Sequence, residues 1–169
     1  MEKSVGLLKE TALFQGLSED QIRKILSISR TVNFKKNDVV MEEGRMGDTM
    51  YIILEGEVQV IKTLTMKGVE EDRDGKNKVF TRLSAAQHAV FGEIALLEDS
   101  ERTATVQALT DCVFYEIKKD DFLRLADSDY ELGYRVLLNL ARIVSSRLRK
   151  VNEDTVKLTT VLSLLLKEN

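Results

Sequence analysis

Residues 91–106 read FGEIALLEDSERTATV, and the fold follows from how this run is understood. An apolar residue and a glycine, Phe91-Gly92, open it. Glu93 follows, and Ile94-Ala95-Leu96-Leu97 have the composition of a short helical patch. Glu98 to Glu101 make an acidic turn, and Arg102 leads into a run of small residues, Thr103-Ala104-Thr105-Val106, that reads as the start of a strand.

The residue types point to an anion site. Glycine lets backbone approach a ligand closely and takes turn conformations closed to other residues. The first N–H groups of a short helix have no intrahelical partner, and an anion fits before them. Arg102 offers a planar fork matched to two phosphate oxygens. Glu93 would repel a bare phosphate but accepts from a hydroxyl. A ribose 3′,5′-cyclic phosphate carries one free hydroxyl, the 2′-OH, and one negative charge, so one carboxylate and one arginine form a matched set. The two side chains are also expected to pair with each other when the site is empty. Spacing alone leaves a second reading open: a partly exposed Glu93–Arg102 salt bridge with no ligand, worth about 0–1 kcal/mol.

FGEIALL, the acidic turn and RTATV, in that order, closely resemble the signature of the cyclic nucleotide-binding domain family. That family includes the catabolite activator protein, the regulatory subunits of cyclic-nucleotide-dependent kinases and cyclic-nucleotide-gated channels. LFQGLSEDQI resembles the turn that follows the family's first helices, and EGRMGDTMYIILEGEVQV resembles its β-roll. The resemblance implies a cassette opened by Phe91, with backbone N–H groups lent by Gly92, Ile94 and Ala95. It places Glu93 on the 2′-OH, Arg102 on the phosphate, and the Ala104 N–H on the phosphate as well. Thr103 is ambiguous: a hydroxyl here contacts phosphate in catabolite-activator-like proteins, and a threonine here goes with syn guanine in cyclic-GMP-dependent kinases. Asn152 resembles, across a one-residue gap, the polar helix residues that meet adenine in bacterial activators. The reading favours cAMP over cGMP. The chain departs from the family at Gln87-His88-Ala89-Val90, where many members carry a glycine-containing turn.

Composition bounds the rest. With 169 residues, 43% hydrophobic and 31% charged, the chain has enough for one domain with a full core. A net charge of -3 gives no basic excess to suggest nucleic acid. A lone cysteine, Cys112, excludes an internal disulfide framework and, in Asp-Cys-Val-Phe-Tyr, reads as a small buried strand residue. One histidine, His88, gives no basis for a metal or haem site. No apolar run approaches about 20 residues, and MEKSVGLLKETALF is too short and charged for a signal peptide. The setting expected is cytoplasmic.

Along the chain, residues 1–30 read as helical, with Leu7, Leu8, Leu13 and Phe14 apolar, a break at Gly16, and a capping box from Ser18 to Gln21 opening a helix that faces Ile22, Ile25, Leu26 and Ile28 inward. The period then shortens. TVNFK and VVMEE flank a turn at Lys36-Asn37-Asp38, and MYIILEGEVQVIK reads as two strands joined as a hairpin at Glu55-Gly56. Gly44, Gly47 and Gly56 read as structural. Residues 66–78 read as a polar loop, VFTRL as a strand, and TATVQAL and CVFYEI as two strands joined by Thr110-Asp111. Asp120 is expected to cap a short helix, and Ser128–Glu131 to form a capping box before a long one. That long helix carries apolar residues at Leu137, Leu140, Val144, Leu148, Val151, Leu158, Leu162 and Leu165, with Thr155 in the one gap: a near-heptad seam over about four heptads. Such a helix is too long to lie on one small roll, so a parallel two-fold dimer is expected. Arg142, Arg147, Arg149 and Lys150 read as a solvated face.

The expected fold is α+β: an antiparallel, jelly-roll-like β-roll of about eight strands, with N-terminal helices and a long C-terminal dimerisation helix. Residues 1–127 would form the roll with its short helices, and 128–169 the dimer helix. The expected function is a regulatory or sensor module that binds cAMP or cGMP and transmits ligand state through its C-terminal helices. Neither metal, membrane nor, for this chain alone, nucleic acid enters the reading. No nucleophile–base pair or second phosphate loop suggests an enzyme. The alternatives are a scaffold that dimerises without ligand, or the sensor half of a transcription regulator whose DNA-binding part is not in this chain.

Overall fold

The computed structural model describes residues 2–63 and 77–167. Helix α1 (Glu2–Glu10) buries Val5 and Leu8, and a 3-10 turn over Ala12–Phe14 buries Leu13 and Phe14. Helix α2 (Glu19–Ser27) opens on the expected capping box: the Ser18 hydroxyl accepts from the Gln21 N–H, and the Gln21 side-chain Oε1 accepts from the Ser18 N–H. Ile22 and Ile25 are fully buried beneath it.

Eight strands follow among the described residues: β1 (Ser29–Phe34), β2 (Val39–Met41), β3 (Thr49–Glu55), β4 (Glu57–Thr63), β5 (Asn77–Ser84), β6 (Val90–Phe91), β7 (Thr105–Ala108) and β8 (Cys112–Lys118). They form two antiparallel sheets, ordered β1-β8-β3-β6 and β2-β7-β4-β5. Strand β3 has an interior on both sides, which explains its continuous apolar run. Met50 and Ile52 face a core shared with the helices, while Tyr51 and Ile53 face the inside of the roll with Phe91, Phe114, Val58 and Val106. Successive strand residues point to opposite faces, so one strand serves both cores.

The hairpin expected at Glu55-Gly56 is not formed. β3 and β4 lie in different sheets, and the chain turns a corner at Gly56, whose φ is +89°. A side chain there would also collide, since a Cβ would lie 2.5 Å from the Asp111 carbonyl oxygen and 2.6 Å from Cys112 Sγ. Two β runs around a glycine look alike whether the chain doubles back or crosses between sheets. The strand expected from Thr103 begins at Thr105. The polar loop expected over 66–78 lies outside the described residues as far as 76, and Asn77 and Lys78 belong to β5.

Helix α3 (Lys119–Ser128) is not capped by Asp120. Its N-cap is Lys118, which makes no side-chain cap bond, and Asp120 sits in the first turn, where its charge suits the helix end. Helix α4 (Tyr130–Lys167) is capped by Asp129, whose Oδ1 accepts from the Leu132 N–H at 3.1 Å; the Ser128 hydroxyl instead donates back to the Leu125 carbonyl. The first part of α4 lies on the domain. Leu132, Val136 and Leu140 are fully buried, and buried Asn139 donates to the Leu13 and Gln15 carbonyls at 3.1 and 2.8 Å.

The near-heptad seam is therefore not continuous as expected. Leu140 belongs to the domain core, whereas Leu137, Val144, Leu148, Val151, Leu158 and Leu165 are exposed. Exchanging Leu140 for exposed Ala141, and adding exposed Tyr130 and Tyr134, yields steps of four and three throughout: 130, 134, 137, 141, 144, 148, 151, 155, 158, 162, 165. Among the described residues, no helix is long and apolar enough to cross a membrane.

Candidate functional site

The cassette folds around Arg102. Its backbone is pinned by the loop between β2 and β3: the Arg102 N–H donates to the Arg45 carbonyl at 2.8 Å, and the Gly44 N–H donates to the Arg102 carbonyl at 2.9 Å. Met46 bridges Glu101, and the Glu43 N–H donates to the Thr105 hydroxyl. The guanidinium is then turned inward, leaving the residue 9% exposed. Nη1 donates to the Thr49 carbonyl at 2.8 Å and, more distantly, to the Gly92 carbonyl at 3.5 Å; Nη2 donates to the Thr49 hydroxyl at 2.8 Å. An arginine has five N–H donors. The Nε–H and the second Nη2–H have no protein acceptor among the described residues, and they form the adjacent pair that suits two oxygens of one anion.

Two glycines make room for this side chain. Gly92, at φ +72°, turns β6 into a 3-10 turn over Glu93–Leu96, and a Cβ there would lie 2.9 Å from Arg102 Nη1 and from the Thr49 carbonyl oxygen. Gly47 lies against the guanidinium itself: a Cβ there would stand 2.0 Å from Nε and 2.3 Å from Cζ. In the 3-10 turn the Ala95 N–H is engaged by the Gly92 carbonyl at 3.1 Å, so its leading N–H groups are those of Glu93 and Ile94.

Glu93 does not pair with Arg102. Its buried carboxylate, with 4% of the side chain exposed, is bound by the Arg147 guanidinium from α4, and Arg147 Nη2 donates to the Val90 carbonyl at 3.1 Å. Arg147 is thus not part of the solvated face expected for it. The stripe Val136, Leu140, Ile143 steps by four and three toward the domain, and position 147 continues it by four.

Residues 31–129, more than half of the chain, match the family model described as cyclic nucleotide-binding domain. The chain belongs to the cyclic nucleotide-binding domain family. The domain is 35% identical over 118 residues to a cAMP-dependent protein kinase regulatory subunit of Debaryomyces hansenii, covering 70% of this chain and 23% of that one. It is 31% identical over 122 residues to a cGMP-dependent protein kinase of Eimeria tenella, covering 72% and 11%. The domain therefore spans about a quarter or less of the length of these two relatives. Among solved structures, a cyclic nucleotide-binding domain from Methylobacillus flagellatus superposes with a TM-score of 0.74 at 25% identity, covering 88% of this chain and 78% of that one.

Within the domain the remaining expected site residues are scattered in exposure. Thr103 is exposed and Ala104 half-buried, both directly after Arg102. Phe91 is 3% exposed and stacks on Tyr51 with ring centroids 5.1 Å apart, edge-on to Phe114 at 5.5 Å. Asn152 is exposed on α4, beyond Arg147, and is not brought to the cassette. Where family members carry a glycine turn, a 3-10 turn over Ala85–Gln87 is closed by a Ser84–Gln87 capping box. His88 follows at φ +45°, 3.4 Å from Glu10. Among the described residues, no group of three or more His, Cys, Asp or Glu side chains is placed to hold a metal ion.

Reading the sequence alone misses Thr49, Gly47 and Arg147. Gly47 was legible only as a turn residue. Thr49 carried no signal, because its partner is distant in the chain. Thr49 is also linked to the Tyr51 phenol, which burial pushes up from its ordinary pKa.

Proposed function

We propose that the domain is a cyclic-nucleotide sensor that prefers cAMP, acts in the cytoplasm as a dimer built on α4, and passes ligand state through α4 to an effector. The observation that carries this reading is the half-satisfied Arg102 fork, fixed between Gly47 and Gly92 beside the buried Glu93 carboxylate. Phosphate would take the free Nε–H and Nη2–H of Arg102 together with N–H groups of Gly92, Ile94 and Ala104, while the Ala95 N–H stays on the Gly92 carbonyl, and Thr103 would lie at its edge. The ribose 2′-OH would donate to Glu93. The relatives named for cAMP and for cGMP leave the base open, and the preference for cAMP rests on Asn152. In a parallel coiled coil Arg147 falls beside the position of Asn152 on the opposite helix, so Asn152 would cap the base from the second chain. Residues 128–169 then act as a dimer helix and 1–127 as the binding roll. Binding energy in such a domain serves a population shift, not bond making.

Transmission runs through Arg147. A hydroxyl arriving at Glu93 shares or takes the acceptor that holds α4, and that difference in contact is what a ligand needs to shift an equilibrium. The test is calorimetric titration of the nucleotide-stripped chain with cAMP and with cGMP, repeated on Arg102→Ala. One nucleotide per chain is expected, with a loss of about 2–5 kcal/mol in the variant. Equal affinity in variant and wild type would refute the assignment.

A further inference from the structure

Thr49 is the first link of a chain of hydrogen bonds that ends on a carboxylate. Its hydroxyl accepts from Arg102 Nη2 at 2.8 Å and donates to the Tyr51 hydroxyl at 3.2 Å, and Tyr51 donates to Glu116 Oε1 on β8, also at 3.2 Å. Each hydroxyl has one proton to give, and a carboxylate only accepts. Glu116 therefore accepts from the Tyr51 hydroxyl, Tyr51 accepts from the Thr49 hydroxyl, and Thr49 is left with lone pairs toward the arginine. The direction of the whole chain is set from its far end. Thr49 and Tyr51 are 8% and 7% exposed, and the Tyr51 ring is held by Phe91 and Phe114. In so dry a place a reversed hydroxyl would aim a proton at a cation, and water could not repair it. The Thr49 carbonyl holds Nη1 from the same residue, so Thr49 grips both ends of the guanidinium fork opposite its free donors.

We propose that Thr49 is the positioning residue for the anion-binding arginine, with Tyr51 and Glu116 fixing its hydroxyl. Preference for a charged cyclic phosphate over a neutral phosphate ester is thereby set from β3 and β8, outside the cassette. The proposal rests on the functional reading above. Thr49 does not touch the ligand; it acts by holding Arg102 in one orientation. Without the hydroxyl the guanidinium keeps only its Nη1 contacts and can rotate.

The experiment compares wild type, Thr49→Val and Thr49→Ser in the full chain, each titrated with cAMP and with its uncharged methyl phosphate triester. The Arg102 guanidinium is followed by nitrogen–proton NMR in the absence of nucleotide. Valine keeps the shape and removes the hydroxyl. Thr49→Val is expected to weaken cAMP about tenfold and the triester by less than about twofold, and Thr49→Ser to restore both. The Arg102 Nη signals are expected to be distinct in wild type and averaged in Thr49→Val. Equal losses for both ligands would show a role in folding alone and overturn the proposal, as would an unchanged cAMP affinity. Wild-type Nη signals already averaged would overturn it whatever binds. A wild-type chain that takes neither cAMP nor cGMP refutes the functional reading itself, a result distinct from wild-type binding that Thr49→Val leaves intact.

Discussion

Replacing Gly47 by alanine puts a methyl group 2.0 Å from Arg102 Nε and 2.6 Å from Nη2. An ordinary carbon–nitrogen contact needs about 3.5 Å, so the guanidinium must retreat by about 1.5 Å. A retreat of that size directed along the two Thr49 bonds, at 2.8 Å, would lengthen them to about 4.3 Å, beyond hydrogen-bond range. The fold can tolerate this, because the atoms in the way are the far end of a long side chain that can swing toward water and recover its bonds there. A stability loss of about 1–2 kcal/mol is expected, against about 1.5–3 kcal/mol for a charged hydrogen bond lost outright.

Ligand binding has no such escape. A phosphate held by a displaced fork loses most of a charge-assisted pair, for which about 2–5 kcal/mol is the full cost of removing one partner. A displaced arginine keeps some of it, so a loss of about 2 kcal/mol, or about 30-fold in affinity, is expected. Calorimetric titration with cAMP measures this, and a thermal melt of the same sample shows that the variant is folded. Wild-type affinity in folded Gly47→Ala would refute the reasoning, because it would mean that the position of the guanidinium does not matter to the ligand.

Arg147→Ala leaves the Glu93 carboxylate buried without its partner and should lower stability by about 1–3 kcal/mol in chemical denaturation; amide exchange should rise along α4, and unaltered exchange would disprove the coupling. Asp129 is held below its ordinary carboxylate range, first by its hydrogen bond to Lys24, 2.6 Å away, and then by the Leu132 N–H. A lowered folded-state pKa means a contribution that is whole above the unfolded value and lost as pH falls through the folded one. Melting temperature should therefore drop on acidification below pH 3.8, and the drop should be shallower in Asp129→Asn, which keeps the helix cap; identical acid limbs would count against it. Leu158→Lys, on the exposed seam, should turn a dimer into a monomer in sedimentation equilibrium while the roll still melts cooperatively, and an unchanged mass would exclude α4 as the interface.

The cassette was legible because its parts are neighbours in the chain: Gly92, Glu93 and Arg102 need only one turn between them. What surrounds Arg102 was not, because Gly47 and Thr49 reach it from the other side of the roll, and nothing local distinguishes a threonine that grips an arginine from one that fills a strand. Glu93 and Arg102 looked like a pair for the same reason; the carboxylate's real partner lies on α4, and only the continuation of a buried stripe from Val136 to position 147 marks it. Gly56 shows a similar limit, since a positive φ is required by a corner as much as by a hairpin. In α4 the sequence pattern runs the seam through Leu140 because leucine outweighs alanine in hydrophobicity. The helix has two apolar stripes, and which leucine belongs to which is settled by the roll that one of them covers.

Those two stripes put the proposed sensing contact and the proposed interface on one helix. The inner stripe ends at Arg147, whose hold on Glu93 is the last contact of α4 with the roll among those described. From there to Lys167 the helix runs about 30 Å at 1.5 Å per residue, bearing exposed Leu148, Val151, Leu158 and Leu165. A tilt of about 5° at Arg147 would move the far end by about 2.6 Å over that length, roughly half a helical turn. Knobs-into-holes packing between two such helices has discrete registers and does not deform smoothly. A small change in how Glu93 divides itself between a ribose hydroxyl and Arg147 would then be read out as a choice between packings of the seam. On the proposed reading, an arginine at the end of the buried stripe, where the lever begins, would give a single ion pair that leverage.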